Sequence, residues 1–174
     1  MELMDVIKRR RSIRNYDPGN IPKEKLDRVL MAGLLSPSGR NIKPWEFIVV
    51  EDRSALANLA EARTGNADML KQASCAIVVV GNQELTDTWV EDCSLAMLNM
   101  HMMADYLGLG SCWIQCRMRY AKDGRTSEEY IREMLKIPEN YRLEAILSLG
   151  LISSHPRPHT EAHARVDKIH RETF

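Results

Sequence analysis

Two stretches of this sequence carry side chains able to do chemistry: one crowds cations, the other sets polar groups beside a large ring. The first is Arg9-Arg10-Arg11-Ser12-Ile13-Arg14. Guanidinium groups bind phosphate oxygens in bidentate pairs, and a serine hydroxyl adds a further donor. The same residues also read as a solvated basic face or a nucleic-acid patch. Against the patch, the cluster is short, lacks interleaved aromatics and sits in a chain of zero net charge. The second stretch is Pro37-Ser38-Gly39-Arg40-Asn41-Ile42-Lys43-Pro44-Trp45. It reads as a plain connection or as a wall for a planar heteroaromatic ligand, since Ser38, Asn41 and Lys43 stand next to an indole. His155-Pro156-Arg157-Pro158 adds an imidazole and one more cation in a stiff segment. Gly108-Leu109-Gly110-Ser111 is no dinucleotide fingerprint, because Trp113 occupies the third glycine position. His159 and His163 read as surface residues; no H-E-x-x-H motif exists and no metal is expected. Cys75, Cys93, Cys112 and Cys116 form no C-x-x-C pair. Neither a P-loop nor a Ser/His/Asp set can be assembled.

The elements that must position these residues follow from periodicity. Residues 2–10 read as a short amphipathic helix on Leu3, Val6 and Ile7 that runs into the arginines. Pro22 opens a second helix carrying Leu26, Val29, Leu30, Gly33 and Leu34, which ends at Ser36-Pro37. Strands are expected at 45–50, 75–80, 111–115 and 142–150, and the 75–80 run is apolar enough to be covered on both faces. Helices are expected at 54–63, 66–73, 88–107 and 126–136. The 88–107 helix is apolar all round, with Leu95, Leu98, Met102 and Met103 besides its core stripe, so it is buried on more than one side. Val166–Phe174 could extend along a partner. The result is one α+β domain over 1–174.

Composition bounds the function classes. At 174 residues, 44% hydrophobic and 28% charged, the chain has a globular make-up, which excludes disorder. Its 24 basic and 24 acidic residues cancel, which removes a global field for nucleic acid or membrane and mildly favours self-association. No apolar run nears the ~20 residues of a membrane helix. The opening MELMDVIKRRR has its charges after the apolar stretch, the reverse of an export signal, so a cytoplasmic protein with reduced thiols is expected.

Taken in order along almost the whole chain, these residues resemble the FMN-dependent nitroreductase family. Arg10-Arg11-Ser12-Ile13-Arg14-Asn15-Tyr16 is similar to that family's R-x-S-x-R-x-F/Y signature. Pro37-Ser38-Gly39-Arg40-Asn41-Ile42-Lys43-Pro44-Trp45-Glu46-Phe47 is similar to its P-S-x-x-N-x-Q-P-W-x-F signature. The resemblance implies an α/β sandwich on a central mixed, mostly antiparallel sheet flanked by helices. It also implies an intertwined homodimer with FMN at the subunit interface and a tail of about 155–174 wrapping the partner. By the same resemblance, Arg10, Arg11, Ser12 and Arg14 hold the phosphate, ribityl chain and pyrimidine end, and Arg157 with His155 closes on the phosphate. Pro37, Ser38, Gly39 and Asn41 of the other subunit line the ring, Asn66 meets its polar edge, and Trp113, Ile114, Gln115 and Cys116 run beside it. Two departures stand out: Lys43 replaces a usual glutamine, and Cys116, where glycine is common, puts a thiol near the ring.

The activity so implied is FMN-dependent NAD(P)H oxidation coupled to reduction of nitroaromatics, quinones or another electron-poor acceptor by a ping-pong mechanism. The flavin carries the redox chemistry, so no protein acid or base is required, and Arg14 serves as an electrostatic stabiliser of the reduced ring. NADH or NADPH is the donor and a small molecule the acceptor, with no role for nucleic acid or membrane. The same site could serve flavin reduction or dehalogenation. A non-enzymatic anion or nucleic-acid module built on the arginines, and a structural dimer without cofactor, are the competing readings.

Overall fold

The computed structural model describes residues 2–174. In chain order it has α1 (Leu3–Arg9), α2 (Lys23–Leu34), β1 (Trp45–Val50), α3 (Arg53–Glu61), β2 (Cys75–Asn82), α4 (Trp89–Tyr106), β3 (Gly110–Gln115), α5 (Ser127–Leu135) and β4 (Tyr141–Gly150). Local chemistry sets the ends. The Asp52 carboxylate accepts from the Ala55 N–H at 2.9 Å to start α3, and Thr126 with Glu129 forms a capping box for α5. The expected 66–73 helix is only a 3₁₀ turn over Asp68–Lys71. Asn66, at φ +55°, is in a left-handed conformation that cannot belong to a right-handed helix.

The strands form one sheet in the order β1-β2-β4-β3, every neighbouring pair antiparallel. The parallel part of the mixed sheet is a single bridge between Ser12 and Ser111. β2 is buried along its whole length, as its unbroken apolar run requires. One face of the sheet packs on α3 and α5 through Leu56, Leu59, Val78, Ile114, Ile131 and Ile146. The other packs under α2 and α4 through Val29, Ile77, Val79, Met97, Met100 and Leu147. Full burial of side chains such as Met97 and Met100 contributes about 1.5–3 kcal/mol each.

α4 meets the sheet through Cys93, Ala96, Met97, Met100 and Ala104, yet Leu95 and Leu98 face outward. They share their exposure with Leu3, Met4 and Ile7 of α1 and with Met31, Leu34 and Leu35 at the end of α2. A groove of 320 Å³ between Leu3, Val6, Ala32, Leu35, Met102 and Tyr106 joins these three helices into one apolar face. The tail beyond Ile152 is exposed throughout and contains two 3₁₀ turns, Glu161–His163 and Val166–Lys168, instead of an extended stretch over 166–174.

Candidate functional site

α1 stops at Arg9 because Arg10, at φ −52° and ψ 119°, leaves the helix. The chain then runs along the β3 edge, where the Ile13 N–H donates to the Ser111 carbonyl at 2.9 Å. Ile13 and Tyr16 are buried, and Ser12 before them and Arg14 and Asn15 between them are exposed. The Tyr16 hydroxyl donates to the Ile13 carbonyl at 2.9 Å and lies 2.7 Å from Ser148 Oγ. Its ring lies on Gly150, where a Cβ would come within 2.5 Å of ring atoms. Only glycine allows that approach, and the approach pins the cationic segment to the sheet.

The last turns of α4 hold the arginines. Arg9 Nε donates to Asp105 Oδ2 at 2.8 Å, and the same guanidinium bonds the Asp105 carbonyl. His155 Nε2 stands 2.8 Å from Asp105 Oδ1, which ties the tail to the same carboxylate. One turn back, Arg10 donates to His101 Nε2 at 2.9 Å, and His101 Nδ1 is 2.5 Å from Ser111 Oγ. Burial, with the Arg10 charge adding to it, pushes the His101 imidazole down to about 4. Arg11 donates to the Arg157 carbonyl at 2.5 Å.

These bonds bring the two ends of the chain together. A pocket of 420 Å³ opens between Ser12, Arg14, Asn15 and the Ser154–Pro156 stretch. A second, of 460 Å³, shares His155 and includes Arg9 and Arg157. Arg9 is neutralised by Asp105; among the described residues Arg10, Arg11, Arg14 and Arg157 make no ion pair. Arg14 lines the first pocket and Arg157 the second, and Arg10 and Arg11 precede Ser12 in the same segment; cations so grouped and not paired with carboxylates suit a dianionic phosphate. The residues present therefore fit the phosphate end of FMN.

The ring-lining expectations divide by strand parity. Trp113 and Gln115 are half-buried on the α4 side, and the indole N–H donates to Gln115 Oε1 at 2.9 Å. Ile114 and Cys116 point into the opposite core, so a ligand on the α4 side can meet only their backbone. The Cys116 Sγ lies 3.4 Å from the Ile114 carbonyl, in the core on the α3 and α5 side, and burial pushes its pKa up to about 12. Asn66 is exposed on a turn that Thr64 ties to the Tyr120 carbonyl at 2.8 Å, next to the segment following β3.

Beside this edge, the Glu144 carbonyl accepts the Arg117 N–H at 2.9 Å. The Glu144 side chain is buried, its Oε1 3.3 Å from Ser94 Oγ and its Oε2 without a partner; burial raises its pKa.

The loop 37–43 lies elsewhere. The Gly39 N–H donates to Asp92 Oδ1 at 2.8 Å, and Ser38 Oγ accepts from the Lys43 N–H at 2.9 Å. Arg40, Asn41 and Lys43 all take positive φ, a tight local path that leaves Asn41 exposed. Asp92 is two and a half turns of α4 before His101, about 14 Å along the axis. The loop also feeds β1, three strand spacings or about 14 Å across the sheet from β3. One copy of the chain thus keeps Pro37, Ser38, Gly39 and Asn41 away from Arg10–Arg14 and Trp113–Cys116. His101, Asp105 and Ser111 were not among the sequence candidates. The signal for His101 and Asp105 is polarity at i and i+4 on the buried stripe of an apolar helix; Ser111, on β3, carries no such signal.

The sequence model of the Nitroreductase family matches residues 7–65 and 58–151. The chain belongs to the nitroreductase family. A protein of Archaeoglobus fulgidus named "Putative NADH dehydrogenase/NAD(P)H nitroreductase" is 40% identical over 179 residues, covering 99% of each chain. One of Methanothermobacter thermautotrophicus with the same name is 35% identical, over 100% of this chain and 88% of its own. The solved structure of an FMN-dependent nitroreductase from Clostridium difficile R20291 is 41% identical and superposes with a TM-score of 0.94, covering 99% of this chain and 100% of the other. This nitroreductase-family chain therefore has the nitroreductase fold, an α+β arrangement of five helices on a four-stranded antiparallel sheet. Among the described residues no helix is long and apolar enough to cross a membrane, and no cluster of three or more metal-ligating side chains exists.

Proposed function

We propose that this nitroreductase-family chain is a homodimeric, FMN-dependent NAD(P)H oxidoreductase that reduces nitroaromatics, quinones or related electron-poor molecules. One observation carries the reading: four arginines without ion pairs gather at one sheet edge, and the Pro37–Asn41 loop sits at the other. A ring lined by both groups needs two copies of the chain, related so that the loop of one meets the β3 edge of the other. The apolar face of α1, α2 and α4 supplies a surface for that pairing, and the tail, held to its own chain through His155, His159 and Glu161, leaves its exposed end beyond Ala164 to lie along the partner.

FMN, when bound, supplies the chemistry of hydride acceptance and delivery. Arg10, Arg11 and Arg157 hold the phosphate, with His155 beside them, and Ser12 donates to the polar chain that follows. Arg14 presents a fixed positive charge to the pyrimidine end, where negative charge grows on reduction. Trp113 and Gln115 meet the ring with their side chains, and Ile114 and Cys116 with their backbone. Asn66 meets the ring's polar edge. Pro37, Ser38, Gly39 and Asn41 of the partner subunit cover the ring and exclude water from it. No side chain needs to transfer a proton, in keeping with the burial of His101 and Cys116 away from the open pocket. Donor and acceptor using the same site in turn would give ping-pong kinetics.

The test begins with an absorbance spectrum and sedimentation of the purified protein. A yellow dimer that oxidises NADH or NADPH with parallel double-reciprocal plots is expected. A colourless protein that stays so after incubation with FMN and desalting, or a flavin-loaded monomer, overturns the reading.

A further inference from the structure

We infer that His101 is a positioning residue that holds Arg10 as an uncompensated cation, and so makes the site select phosphorylated over phosphate-free flavin. The inference rests on the FMN reading above and deepens it. Its basis is the contrast between two adjacent arginines and the two side chains of α4 that hold them. Arg9 is paired with the Asp105 carboxylate at 2.8 Å, so its charge is cancelled locally. Arg10 bonds His101 Nε2 at 2.9 Å and makes no ion pair.

The proton positions follow from donor and acceptor inventories. A guanidinium can only donate, so His101 Nε2 must present its lone pair. The ring hydrogen is then on Nδ1, directed at Ser111 Oγ 2.5 Å away. Ser111 is itself fixed, because its backbone bridges to Ser12 and its carbonyl accepts the Ile13 N–H at 2.9 Å. The imidazole is therefore held in one tautomer and one orientation by the segment whose arginine it orients. His101 is 4% exposed and Ser111 2%, so water does not compete for either bond. Burial and the neighbouring guanidinium keep the ring neutral at physiological pH. A carboxylate in its place would fix Arg10 equally well and cancel its charge, as Asp105 does for Arg9. A neutral acceptor fixes Arg10 and leaves the charge for an incoming anion.

The test compares FMN with riboflavin, which has the same ring and ribityl chain without the phosphate. Flavin-stripped full-length protein is titrated with each, with flavin fluorescence as the readout and circular dichroism as the check on folding. Wild type is expected to prefer FMN strongly. His101→Leu, which removes the acceptor, is expected to lower FMN affinity about tenfold or more, the range for a lost hydrogen bond to a charged group, with riboflavin affinity nearly unchanged. His101→Gln, which keeps an acceptor, recovers part of the loss. His101→Glu, of the same shape as Gln but charged, lowers the FMN-to-riboflavin ratio furthest. Should His101→Leu fail to fold, the Glu and Gln pair carries the test alone. Folded variants that all keep the wild-type ratio overturn the role of His101 and leave the FMN reading standing. A wild type that binds both flavins equally overturns the phosphate assignment itself.

Discussion

Asp105→Ala is expected to weaken the fold and loosen the tail at once, because a single carboxylate bonds both Arg9 and His155, while the Arg157, His159 and Glu161 contacts to α1 and the segment after it remain. The Asp105 side chain is 5% exposed and that of Arg9 is 30% exposed. Breaking a buried ion pair by removing one partner costs about 3–5 kcal/mol, and an exposed pair contributes about 0–1 kcal/mol. With one partner buried and the other partly wet, the expected loss is about 2–3 kcal/mol. At roughly 2–4 °C per kcal/mol for a chain of this size, the melting temperature should fall by about 4–12 °C. The comparison must be made at one protein concentration, since association links stability to mass action. A double-mutant cycle with Arg9→Met isolates the pair: the double variant should lose about 2 kcal/mol less than the two single losses combined. Loss of the His155 contact should also speed tryptic cleavage within 157–171, read by mass spectrometry. Single losses that add to within about 0.5 kcal/mol, with unchanged tail proteolysis, would refute the reasoning.

Other consequences follow from the same geometry. Arg14→Ala should weaken FMN retention and lower turnover with little change in melting temperature, whereas Arg9→Ala should do the opposite; equal effects on retention would count against the assignment. The His101 imidazole is lowered from 6.5 to about 4, so the unfolded chain binds the extra proton across that interval. Stability should therefore fall as pH drops from 6.5 to about 4, by about 3 kcal/mol for the full shift, and urea titrations of His101→Gln should lack this component. The Glu144 carboxyl is shifted the other way, so its contribution worsens as pH rises above its unfolded value; Glu144→Gln should raise the melting temperature at pH 8 and not at pH 4. Because Cys75, Cys93, Cys112 and Cys116 are all buried, iodoacetamide should label none of them in the native protein and all four in denaturant; rapid native labelling of Cys116 would contradict its placement.

Much of this molecule was readable from residue order. Apolar spacing places α2, α4 and α5, and the unbroken run of β2 announces a strand covered on both faces. The arginine cluster and the Pro37–Asn41 loop were both visible as candidate binding segments. Parity was less accessible. β3 carries Trp113, Ile114, Gln115 and the adjoining Cys116 as near-equivalent candidates, but only the packing of α4 on one side and of α3 and α5 on the other tells which pair stays partly exposed. By side-chain chemistry the arginines are alike, and only the motif resemblance set Arg10, Arg11 and Arg14 apart from Arg9. Arg9 and Arg10 are neighbours of identical chemistry, and what separates them is whether a carboxylate or an imidazole waits on α4. Their partners lie 96 and 91 positions further along the chain. Periodicities of 3.6 and 2 residues act over a turn or a pleat, so they encode elements and their apolar faces locally. Pairing between segments that far apart arises only when the sheet and α4 have packed. That packing turns one arginine into a structural tie, leaves its neighbour without a carboxylate partner, and holds the Pro37–Asn41 loop at the opposite edge of the sheet.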